Sequence, residues 1–252
     1  NRGSSETLTF ASNITMGSNS TINVGNGTTL NGNIYGAGTL NVLGNFTSTG
    51  SIGAAQVDGA DFITSGLEQI NISKGNTFTL NNNATATRMN INGTVTVAGN
   101  ITAAVTMGAD GILNLNNESG DDNAAKVVGA IQSYVAGTAQ GTLNINGTFT
   151  TQGAIGQGGK GLAAINLSNS TWSNGFTTTF AHDVNATTIT VGTSSMQTNA
   201  TLAIVAGGTS AGVNIAITGN IVGGGNSSST DNAAGGRFNV QGNTTVSGNI
   251  GS

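Results

Sequence analysis

The chain has 252 residues, of which 41 are Gly, none is Pro or Cys and only 6% are charged, for a net charge of −4. This balance leaves no basic stripe for a phosphate backbone and argues against nucleic acid as a partner. No window approaches the ~18 to 20 apolar residues of a membrane span, no disulfide framework exists without Cys, and no basic-apolar-small leader opens the chain, so a secreted protein is expected here in mature or excised form.

Apolar residues recur at every second position in short runs, which separates this Gly-, Asn-, Ser- and Thr-rich sequence from a low-complexity linker. Runs of like phase open near Leu8, Leu40, Ile70, Ile112, Leu143, Ile165, Ile189, Ile215 and Phe238. In the second of them Leu40 and Val42 fall on one face and Thr39, Asn41 and Leu43 on the other, as a strand requires. Residues 94–97 (TVTV) and 188–191 (TITV) repeat the logic with β-branched side chains. Spacings of roughly 22 to 32 residues, with one near 42 hiding an extra turn around Met89, predict the coils of a parallel β-solenoid. About eight to ten turns, stacked at ~4.8 Å, give a body of about 40 to 50 Å.

The sequence also repeats itself. Residues 38–53 (GTLNVLGNFTSTGSIG) return as 141–156 (GTLNINGTFTTQGAIG) and 236–251 (GRFNVQGNTTVSGNIG), and residues 66–73 (GLEQINIS) return as 161–168 (GLAAINLS). The reading is one continuous repeat domain over 1–252, with long repeats at about 38–140 and 141–235 and a partial one at 236–252. The expected fold class is all-β: a single-chain parallel β-helix (β-solenoid) with loop insertions at one corner. Equal phase among the recurring strands favours this over a β-sandwich, which Asn-Gly at 26, 31, 92 and 146 would suit as hairpin turns. Asn in such a coil tolerates left-handed corners and can form stacked amide ladders.

Segments of changing length follow Ile34, Ile52, Ile155 and Ile221, and their apparent equivalence predicts that they line one edge, the usual binding edge of a repeat protein. Residues 122–134 carry the one plausible helix, capped by Asp121 or Asp122. Few residues offer chemistry. Asp110 with Glu118, Asp121 and Asp122 forms the one oxygen-rich set that could hold Ca²⁺, without EF-hand or β-roll spacing; no other cofactor is expected. His182-Asp183 would supply two members of a catalytic triad but reads better as a surface dipeptide. Asn-x-Ser/Thr sequons from Asn13 to Asn243 follow from composition, and the Thr-x-Thr pairs at 94/96 and 188/190 do not recur in every turn as an ice-binding array would.

The two ends match in sequence. Residues 248–252 followed by residues 1–10 (GNIGS, NRGSSETLTF) resemble the internal GNIVGGGNSSSTDNAAGGRFNV, and neither end carries a polar cap over its strand edges. Two readings stand side by side: head-to-tail contact between identical subunits through Leu8, Phe10, Phe238, Val240, Val246 and Ile250, or a chain cut from a longer array of the same repeats.

The runs GTLNVLGNFTSTGSIG and GTLNINGTFTTQGAIG, with GLEQINI between them, resemble passenger regions of bacterial autotransporters, especially rickettsial-type surface proteins, and some surface-layer and adhesin repeats. The resemblance spans nearly the whole chain and implies a right-handed parallel β-helix exported to a bacterial surface, for adhesion, coat or filament formation. It transfers no catalytic residue. The expected function is that of a non-enzymatic structural subunit of an extracellular filament or surface layer; the alternative is an adhesin passenger binding host or glycan through loops on one edge, with a carbohydrate-active enzyme third.

Overall fold

The computed structural model describes residues 7–54, 56–58, 61–63, 66–116, 125–168, 176–192, 200–205, 215–223, 237–241 and 243–251. Among these every regular element is a strand, and all pairings but one are parallel and joined to the next rung of a coil. The exception is the antiparallel pair Gln56–Asp58 and Asp61–Ile63. Asn-Gly steps make corners instead of hairpins: Gly27 and Gly147 take φ of 71° and 101°, and the chain beyond each rejoins the coil in parallel register.

The coil has three faces, visited in fixed order. The first face stacks Leu8–Phe10, Thr28–Leu30, Phe46–Ser48, Thr77–Leu80, Thr94–Val97, Ile112–Asn116, Thr142–Asn146 and Leu162–Ser168. It ends with the second halves of Val184–Val191 and Ile215–Gly223 and a bridge from Ile221 to Ile250. The second face runs from Ile14–Met16 through Ile34–Gly36 and Ile52–Ala54 to Arg237–Gln241. The third runs from Thr21–Val24 through Thr39–Val42 and Leu67–Ile72 to Thr244–Ser247. Strands such as Ala84–Ile91 pass from second to third face without a break, bending at a register shift between Thr85 and Arg88, which is how a bulge turns a strand.

The shortest coils are tighter than the sequence spacing suggests. Val95 stacks beside Phe78 and Leu113 beside Val95, so a bare coil takes 17 or 18 residues, and longer ones carry insertions. Eleven rungs on the first face, at ~4.8 Å each, make the body about 50 Å long. The expectation of equal phase fails for a physical reason: all three faces need the same alternation, so like patterns occur on each. Leu40 lies on the third face, Leu143 on the first and Phe238 on the second. Accordingly the variable segments do not share one edge, because Ile52, Ile155 and Ile221, which precede them, stand on the second, third and first faces.

The interior is one apolar cluster. Leu40, Ile70, Met89 and Val105 form one continuous column and Leu113, Leu143, Ile165 and Ile189 another, every one of them fully buried. Each such side chain contributes about 1.5 to 3 kcal/mol, and Phe46 stacks on Phe78 with centroids 5.3 Å apart. Gly is required where coils touch: at Gly36 (φ 88°) an added Cβ would meet the carbonyl oxygen of Met16 one rung away. The expected helix at 122–134 is overturned. Its capping residues lie outside the described ones, while Ala125–Val128 and Ile131–Ser133 are strands of the second and third faces. Paired β-branched valines suit the pleat, and Gly129 at φ 127° turns the corner between them.

Outside the core, Asn side chains bind the rungs. Asn41 donates to Asn23, Asn71 to Asn41 and Asn90 to Asn71, each at 2.8 Å; Asn166, Asn144 and Asn114 repeat this on the first face. Asn71 also accepts from Gln69 Nε2 at 2.6 Å. Asn71→Ala removes the donor to Asn41 Oδ1 and the acceptor of Asn90 Nδ2 and is expected to cost about 1 to 3 kcal/mol, against under about 1 kcal/mol for the end member Asn23→Ala, both measurable by urea denaturation. Buried Thr178 has a hydroxyl with no partner among the described residues. Thr178→Val should therefore stabilise the coil by about 1 kcal/mol, read as a raised denaturation midpoint.

Candidate functional site

Among the described residues, no three of those expected to carry chemistry are brought together. Asp110 Oδ2 accepts from Lys74 Nζ at 2.8 Å, both side chains being more than half exposed. Glu118, Asp121 and Asp122 lie outside the described residues, and no group of three or more potential metal ligands occurs among those described. The hydrogen bond from Lys74 to Asp110, and then the carboxylate's charge, raise the Lys74 pKa above its usual 10.5.

His182 is exposed, whereas Asp183 belongs to the scaffold. Asp183 Oδ1 accepts the backbone N–H of Ala216 at 2.8 Å, and Gln157 Nε2 donates to Oδ2 at 3.5 Å. The same corner device recurs on the other faces: Asn33 Oδ1 accepts from Ser51 N–H at 2.7 Å and Asn83 Oδ1 from Asn100 N–H at 2.8 Å on the second, Asn220 Oδ1 from Asn249 N–H at 3.1 Å on the first. In every case the acceptor sits just before an inward apolar residue and reaches the equivalent residue one rung on. Asp183 thus replaces an Asn in a corner bond, which accounts for it without catalysis.

Exposed large apolar side chains occur on the flanks at Leu43, Val128, Tyr134 and Val135 and also at the two ends. Leu8 and Phe10 are 38% and 43% exposed, Val240 and Ile250 42% and 59%, and these four stand in columns of inward-facing residues. Phe238 and Val246 are partly buried against the core. All six residues expected from sequence to make subunit contacts therefore lie on the outermost rungs. Sequence reasoning missed Ile14 and Ile22, which with Leu8, Phe10, Val24 and Leu30 line an apolar cavity of ≈ 150 Å³ at the first rung. Their signal was present as the alternations Ile14-Thr15-Met16 and Ile22-Asn23-Val24. The outer strands also present backbone groups toward the next rung, an edge open to pairing.

No helix among the described residues is long and apolar enough to cross a membrane. In comparisons with protein-family models, curated proteins and solved structures, none matches this chain. The functional argument accordingly rests on the coil's own geometry.

Because Lys74 is held protonated by an exposed partner, any stability from the pair is present below the unfolded Lys pKa and disappears as pH rises through the raised folded value. Asp110→Asn should return the Lys74 pKa toward 10.5 in an NMR titration and leave neutral-pH stability almost unchanged, as exposed pairs do.

Proposed function

We propose that this chain is a structural, non-enzymatic subunit that stacks head to tail with copies of itself into an extracellular bacterial filament or surface layer. The observation that carries this reading is the apolar surface of the outermost described rungs, where core columns emerge as exposed Leu8, Phe10, Val240 and Ile250 with no further rung beyond them among the described residues. A repeat coil exposes apolar surface at each end unless something covers it, and the best-matched cover is the opposite end of the same molecule. Contacts of this heterologous kind propagate without closing, which makes filaments. The bacterial surface location, and a right-handed coil, are what the likeness of the Gly-Asn-rich repeats to autotransporter passengers supports.

Sedimentation and negative-stain electron microscopy at rising concentration test the reading. Wild-type chain should form rods with an axial repeat of about 50 Å. Phe10→Asp and Val240→Asp should each abolish the rods while circular dichroism stays that of the wild type, and an equimolar mixture of the two should give dimers, since each variant keeps one intact end. Wild-type chain that stays monomeric at all concentrations would sink the proposal and favour an adhesin passenger that binds host or glycan.

A further inference from the structure

The end of a coil is a ramp with a step one rung high, and the position of that step restricts how two copies meet. In the last rung the chain passes from Arg237–Gln241 on the second face to Thr244–Ser247 on the third and Ile250 on the first. The lowest strand of that receiving surface is therefore Arg237–Gln241. In the first rung the order is Leu8–Phe10 on the first face, Ile14–Met16 on the second and Thr21–Val24 on the third. The strand that leads an incoming copy is Leu8–Phe10.

Resting on the head-to-tail reading above, we propose that successive copies are turned by one third of a turn, so that the first face of each copy continues the second face of the copy before it. The ramps then close without a gap. With the faces aligned instead, Leu8–Phe10 rests on Ile250 alone, and a space one strand deep opens above both Arg237–Gln241 and Thr244–Ser247.

The chain already contains this operation. Residues 38–53 begin on the third face with Leu40, residues 141–156 on the first with Leu143, and residues 236–251 on the second with Phe238. Each recurrence of the sequence has thus advanced by whole rungs plus one third. The equivalence also fixes the register between copies. Phe46 and Phe149 are corresponding residues of the repeat; Leu8 stands in the column of Phe46 and Phe238 in that of Phe149. Leu8 therefore lands on Phe238, and Phe10 on Val240. By the same correspondence of Ile52 with Ile155, Ile14 lands on Val246, and of Leu40 with Leu143, Ile22 lands on Ile250. Every inward apolar residue of the last rung receives an apolar partner. In the aligned arrangement the column of Phe238 continues to Ser12 instead.

The natural absence of Cys allows a direct test. Outward-facing Thr9 would stack on Asn239 of the preceding copy in the rotated arrangement and on Gly251 in the aligned one, and adjacent rungs at ~4.8 Å lie within the Cα separation a disulfide accepts. Thr9→Cys combined with Asn239→Cys should cross-link assembled chains into ladders under mild oxidation. Thr9→Cys with Gly251→Cys should not; Gly251 is exposed and an added Cβ there meets nothing within 4 Å, although its φ of 80° strains any side chain, so the control also requires that the Gly251→Cys chain keep the wild-type circular dichroism. Helical reconstruction of wild-type filaments should give a rotation of about 120° per subunit. Cross-linking through position 251 instead of 239, or a rotation near zero, would overturn the one-third turn while leaving stacking itself intact. Chains that never associate would overturn both.

Discussion

Everything in this molecule depends on in-register parallel stacking. A strand in the coil must pair on both sides at ~4.8 Å with strands one rung away, so each inward position becomes a column and each column must stay apolar along its length. The consequence appears in the burial of Leu113, Leu143, Ile165 and Ile189, one above another and fully covered. It appears equally outside, where a single Asn position extends into the chain Asn23, Asn41, Asn71, Asn90 because the same spacing brings amide to amide at 2.8 Å. Charge is poorly suited to such columns, since like charges would face each other at every rung, and a composition of 6% charged residues is the chemical counterpart.

The same constraint sets the outermost rungs apart from the flanks. Along the flanks the strands of the coil have a neighbour on each side, and among the described carboxylates Asp110 is taken up in an exposed ion pair and Asp183 in a corner bond. Among the described residues, exposed members of core columns and strand edges without a further rung coincide at the outermost rungs.

Much of this was legible in the sequence, and the failures share a cause. Period-two alternation gave the strands, and the recurrent Asn gave the ladder, because both are local consequences of a pleated backbone. The coil length was misjudged because three equivalent faces carry one pattern: Leu40, Leu143 and Phe238 look like the same position and stand on three different faces. The presumed single edge of variable segments dissolved for the same reason. At residues 125–133 an Ala-containing run after two acids resembled a capped helix, yet Val127 and Ile131 each continue a column set by residues in other rungs, Ile101 and Val105. That information is not local. At the ends, Leu8 and Phe10 were visible as strand residues, whereas Ile14 and Ile22 were overlooked because only the three-face winding brings them to the same rung.

Interchangeable faces also bear on how such a gene can change length. In most repeat proteins an insertion is harmless only if it comprises a whole repeat, since anything shorter throws later segments out of place. Here the corner bonds of Asn33, Asp183 and Asn220 show one device working on the second, third and first faces alike. Gain or loss of a single strand with its corner would therefore move the downstream sequence to the next face while keeping its inward apolar alternation in phase with the columns there.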